Sequence, residues 1–227
     1  MIHRTPIDGI LALVAALVVA PGIAAAQGGS LPADWTIRLD VPQEVVSGQD
    51  AADGQFRYER MPPGWHMTTT TAGVTLFPRG RSVAGEWGVE VELFLFPNPS
   101  DQPLGVVLEA ADRPEGTMVL QFLMRADGAA TLAAVHDGEA QVMVPWTRDT
   151  AVAPHNGTDV IKYVLRVMHQ GEALAFAING TEMFRVPTGG EDHRSVPGLR
   201  LGRGLNVHVS RFDLITPLAP PRAAPAS

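Results

Sequence analysis

From Thr36 to Ile215, short runs rich in Val, Leu, Phe and Thr alternate with Gly, Asp, Asn and Pro. The punctuation falls roughly every ten residues, the spacing of a two-sheet antiparallel β-sandwich, in which each strand crosses the domain once and turns back. Glu86–Phe96 (EWGVEVELFLF) is the clearest strand. Alternation puts Val89, Val91, Leu93 and Leu95 on one face and Glu90, Glu92, Phe94 and Phe96 on the other. Asp127-Gly128, Asp137-Gly138 and Asn179-Gly180 read as hairpin turns, because Gly tolerates positive φ and Asn and Asp come next. The Val41–Gly54 and Thr147–Asp159 stretches read as loops. No helical periodicity appears beyond the N-terminal segment.

The last strand, Leu205–Ile215, has a parity fault. Val207 and Val209 share one face, whereas Phe212 and Leu214 fall on the other. One extra residue at Ser210 or Arg211 restores all four to the core, so a β-bulge is expected there.

Residues 1–26 follow a different logic. Arg4 precedes an unbroken apolar run, Ile10–Ala20, which Pro21-Gly22 ends before Ala24-Ala25-Ala26. This is the layout of a cleaved secretory signal, with Gln27 as the new N-terminus and the periplasm or the exterior as destination. The run falls short of the roughly 20 apolar residues a membrane span needs. Residues 27–34 read as a flexible lead-in, 35–216 as one sandwich domain, and the Pro- and Ala-rich 217–227 as a disordered tail. There is no cysteine, which excludes thiol catalysis and thiolate metal sites. A domain of about 200 residues buries enough surface to do without disulfides. The net charge is −7 without any run of like sign, which argues against nucleic acid and against anionic membrane surfaces as partners.

The order of elements from Gly85 onward resembles a concanavalin A-like jelly roll, the fold of laminin-G-type modules, legume lectins and laminarinase-like glucanases. The pieces that carry the resemblance are the Glu86–Phe96 strand, Arg125-Ala126-Asp127-Gly128, Val144-Pro145-Trp146-Thr147 and Val164-Leu165-Arg166-Val167. Phe176-Ala177-Ile178-Asn179-Gly180, Pro197–Gly202 and Val207–Phe212 complete them. The succession is similar to the 3-keto-disaccharide hydrolase-like branch of bacterial exported proteins. The resemblance implies a sandwich that binds or cleaves glycans.

Glu90 and Glu92 are the candidate catalytic pair. Two residues apart on a strand, their Cα atoms lie about 6.6 Å apart on one face, and a retaining glycosidase places its carboxyls about 5–5.5 Å apart. Laminarinase-like enzymes carry three alternate carboxylates, but here Gly88 and Phe94 flank the pair, so the triad is incomplete. A solvated strand face is the competing reading. Sugars stack on aromatic rings, which makes Trp146, Trp65, Trp87 and Phe94 candidate ligand-binding residues. The competing reading for the tryptophans is burial in the core. Asp50 and Asp53, or Asp149, are the candidate calcium ligands, although no DxDxDG spacing appears. The histidines lack metal-ligand spacing, so no metal site is assigned. The expected function is an exported, non-catalytic module that binds a glycan or a cell-envelope component. A glycoside hydrolase of the 3-keto-disaccharide type and a structural or protein-interaction domain are the alternatives. Oligomeric state is left open.

Overall fold

The computed structural model describes residues 35–114, 116–188 and 194–216. The expected signal peptide, lead-in and tail lie outside them. Fifteen strands follow in chain order among the described residues: β1 (Trp35–Leu39), β2 (Glu44–Val46), β3 (Gln55–Arg60), β4 (Trp65–Thr69) and β5 (Val74–Pro78). Next come β6 (Trp87–Leu95), β7 (Leu104–Ala110), β8 (Met118–Met124), β9 (Ala129–His136) and β10 (Glu139–Arg148). The last are β11 (Ile161–Gln170), β12 (Ala173–Ile178), β13 (Thr181–Pro187), β14 (Ser195–Leu201) and β15 (Asn206–Ile215). They form a seven-stranded sheet, β1-β5-β14-β7-β8-β9-β10, and an eight-stranded sheet, β13-β12-β11-β6-β15-β4-β3-β2. No helix long and apolar enough to cross a membrane occurs among the described residues.

The core lies between the sheets. The eight-stranded sheet supplies Val89, Val91, Leu93 and Leu95, with Tyr163, Leu165 and Val167 beside them; the seven-stranded sheet supplies Leu104, Val106, Phe122, Met124 and Leu132. Phe122 on β8 meets Phe176 on β12 at 5.3 Å between ring centroids, joining the two layers. Burying each such side chain contributes about 1.5–3 kcal/mol.

The β-bulge falls where the parity fault places it. β15 pairs with β6 as Val209↔Leu93 and then Arg211↔Glu92, leaving Ser210 as the extra residue. Phe212 and Leu214 consequently pack against the core with Val207 and Val209.

Two loop expectations are corrected. The Val41–Gly54 stretch holds β2, and β2 pairs parallel to β3, so the eight-stranded sheet is mixed and not wholly antiparallel. Val45 and Val46 are buried, but a two-residue apolar step among turn formers gives no readable period. The Gln55 side chain fastens the crossing by donating to Glu44 at 2.7 Å and accepting from the Ala52 N–H at 2.9 Å. β10 also runs two residues beyond Trp146, to Arg148.

Candidate functional site

Glu90 and Glu92 do share the outer face of the eight-stranded sheet, and each carboxylate is held by cations. β11 places Arg166 opposite Glu90, and β15 places Arg211 opposite Glu92. Arg166 donates through Nε to Glu90 Oε2 at 2.7 Å and through Nη2 to the same oxygen. Arg211 bonds the other oxygen of Glu90 and lies 3.9 Å from Glu92. The bulged Ser210 donates its hydroxyl to Glu92 Oε1 at 2.9 Å, and Lys162 Nζ lies 3.6 Å from Oε2. The Ser210 hydrogen bond, aided by Lys162 and Arg211, holds the Glu92 carboxyl below its ordinary range despite some burial. A retaining glycosidase needs one carboxyl that stays protonated to serve as general acid. Glu92 is ionised at neutral pH and both oxygens of Glu90 are occupied by guanidinium groups. The pair forms a salt-bridge network.

The aromatic candidates separate by burial. Trp87 is fully buried and packs against His169 at 5.8 Å. It offers no surface to a ligand, and its expected place in a glycan site is corrected to a core role: on β6 it has the inward parity of Val89. Trp65 is half-buried and meets Trp35 edge-on at 5.3 Å, near Phe212, where it closes one end of the core. Phe94 sits on the outer face between Lys162 and His208. Trp146 retains 39% of its surface on β10, the edge strand of the seven-stranded sheet. The Arg125 guanidinium stacks over its ring at 4.4 Å.

Arg125 also lines a cleft of about 560 Å³ at one end of the sandwich, with Asp101, Asp127, His155 and Gly157. Three loops build it: 96–103 after β6, 125–128 after β8 and 149–160 after β10. They are bonded to each other. The Asn98 N–H donates to Gly157 O at 3.0 Å, and the His155 N–H to Ala126 O at 2.7 Å. His155 Nδ1 accepts the Gly157 N–H at 2.9 Å while Nε2 faces Leu95 O at 3.2 Å, which fixes the ring as the Nε2–H tautomer. Asp127 bridges Arg125, at 3.2 Å, and Arg148. Burial pushes the Asp127 carboxyl upward, but hydrogen bonds from Arg148 and the Ala129 N–H, with the two arginine charges, outweigh it and hold it below its ordinary range. Gly128 closes this hairpin at φ 80°, with Val152 O 3.0 Å from where a Cβ would stand. Of this cleft only the neighbouring Trp146 is legible as a site residue in the sequence. Asp127 reads there as turn chemistry, and Asp101, Arg125 and His155 converge only through the fold.

The aspartates considered for calcium lie apart from this cleft's lining. Asp50 pairs with Arg57 at 3.1 Å, and Asp149 accepts the Ala151 N–H at 2.8 Å. Among the described residues no group of three or more His, Asp or Glu is placed to hold a metal ion.

The two sheets and their packing define a concanavalin A-like jelly roll, and solved structures share it. A carbohydrate-binding module of group 66 from Bacillus subtilis superposes with a TM-score of 0.55 at 9% identity, covering 76% of this chain and 99% of its own. A GH16 protein of the Bacteroides ovatus mixed-linkage glucan locus, in complex with a G4G4G3G product, gives 0.53 at 9% identity, with coverage of 80% and 94%. The carbohydrate recognition domain of Emp46p gives 0.51 at 12%, covering 82% and 90%. At these identities the likeness is one of fold. No protein-family model matches the chain, the 3-keto-disaccharide branch included, and no curated protein matches it.

Proposed function

We propose that this chain is a non-catalytic glycan-binding module and that the loop-end cleft beside Trp146 is its sugar site. The observation that carries the reading is the half-exposed indole on an edge strand, braced by Arg125, at the border of a preorganised polar cleft. A pyranose or furanose ring presents C–H groups to an indole and hydroxyls to carboxylates and guanidinium groups. Trp146 supplies the apolar platform; Asp127, Asp101 and Arg125 supply acceptors and donors. Cross-bonded loops lower the ordering cost of binding. Three structures of the same fold are described as carbohydrate-binding or as a complex with a glucan product, which supports the ligand class. The cation-clamped Glu90 and Glu92 favour binding over hydrolysis. Export through cleavage near Ala26/Gln27 is part of the proposal, because it would place the module at envelope or extracellular glycans.

The test is a glycan array probed with the chain from Gln27 onward, with and without calcium. Saturable binding is expected. Trp146→Ala should weaken it about five- to thirtyfold, the equivalent of roughly 1–2 kcal/mol of lost stacking. Glu92→Gln should leave it unchanged. A blank array under both conditions, or hydrolysis of a glycan that Glu92→Gln abolishes, would overturn the reading.

A further inference from the structure

The second large cleft lies at the opposite end of β7, on the outer face of the seven-stranded sheet. It encloses about 300 Å³ and is lined by Arg38, Phe77, Arg79, Glu109 and Arg113, among others. The neighbour order β1-β5-β14-β7 sets Arg38 and Glu109 three strand spacings apart, about 14 Å. Arg38 spans that gap. Its guanidinium lies over the Phe77 ring at 4.4 Å and grips Glu109 with two hydrogen bonds, 3.1 and 2.8 Å long. Gly198 beneath leaves room for the Phe77 ring, which would stand 2.7 Å from a Cβ there.

Glu109 is thus satisfied within the protein, and among the described lining residues the positive charge is in excess. Arg79 lines the cleft and donates through Nε to Trp35 O at 3.0 Å. Among the described residues neither Arg79 nor Arg113 forms an ion pair, and both are exposed. Among the described residues lining the cleft, Arg79 and Arg113 stand beside the Arg38–Glu109 pair, in a chain whose net charge is −7. Gly80, Ala110 and Ala111 have no side-chain bulk to fill the space between them.

We propose that this cleft binds an anionic group, a carboxylate or a sulfate or phosphate ester carried on an acidic polysaccharide. Guanidinium groups suit such oxyanions because their paired N–H donors match two oxygens at once. The polysaccharide carrier rests on the glycan-binding reading above, whereas recognition of the anion rests on charge and stands independently of the Trp146 cleft.

Affinity electrophoresis of the chain through gels holding polygalacturonate, dextran sulfate or neutral dextran tests it. At least one polyanion should retard the protein, and raised salt should weaken the effect. Retardation by polygalacturonate alone assigns a carboxylate, and by dextran sulfate alone a sulfate or phosphate ester. The double substitution Arg79→Gln, Arg113→Gln should weaken retardation by about tenfold or more, since each charge-assisted hydrogen bond counts for more than a neutral one. Trp146→Ala should leave polyanion binding intact. Both arginines are exposed, so the double variant should fold, its melting temperature lowered only slightly, by the loss of the Arg79–Trp35 hydrogen bond. The proposal is overturned if neither polyanion retards the protein, or if the double variant is retarded as strongly as wild type.

Discussion

At the scale of single residues, what a carboxylate can do is set by the groups around it. Glu90 sits in a nearly closed setting between two arginines whose side chains are half-exposed. Removing its charge leaves Arg166 and Arg211 facing one another across β6. Glu90→Gln should therefore destabilise the fold by about 1–2 kcal/mol, less than a fully buried pair would cost because water reaches both arginines. A urea titration measures this; an unchanged midpoint would mean that the network contributes nothing. The same substitution should leave glycan binding intact, since Glu90 does not line the Trp146 cleft. At position 146 the chemistry is the reverse. Arg125 is itself occupied with Asp127, so the indole is braced by a cation that has its own anion and need not move when a sugar arrives.

Among the strands, β15 shows how one residue serves two ends. Ser210 is the bulge that turns Phe212 and Leu214 inward, and its hydroxyl donates to Glu92. Deleting Ser210 should rotate Phe212 and Leu214 outward. It should also let the Glu92 carboxyl rise toward its ordinary range. The loss should be about 2–3 kcal/mol, since both side chains are partly buried and each contributes less than a fully buried one. By contrast Ser210→Ala keeps the bulge and should cost only about 1 kcal/mol. Comparable thermal midpoints for the two variants would argue against this division. The bulge is legible in the sequence because four large apolar residues mark both sides of the slip. β2 is not, because its apolar step is two residues long and its partner, β3, lies beyond a loop. β9 is equally faint: Ala129, Ala130 and Ala133 are poor strand formers and take their conformation from β8 and β10 on either side. The loop-end cleft is hidden for a further reason, since its residues come from three loops joined only by backbone hydrogen bonds of the folded state.

For the molecule as a whole, His66, Glu92 and Asp127 push stability in one direction with pH. His66 on β4 is buried against Phe96, with ring centroids 5.0 Å apart, and has His208, Arg57 and Glu59 around it. Burial first, then the charges of Arg57 and His208, lowers its pKa below the ordinary 6.5. The folded chain therefore binds fewer protons than the unfolded one just below that value. Stability should be full above about pH 6.5 and fall as pH drops toward the lowered value of the folded state. Glu92 and Asp127 add the same sign further down. Their carboxyls lie below the ordinary 4.5 and 3.8, so their contribution is present above those values and is lost as pH falls through the lowered ones. The melting temperature should thus decline in two stages, the first as pH falls below the ordinary histidine value of 6.5, the second at stronger acidity, below the ordinary carboxylate range. His66→Gln should flatten the first stage and leave the second. A wild-type melting temperature constant across the first stage would show that His66 stays equally protonated in both states. A first stage that survives His66→Gln would assign the decline to another group.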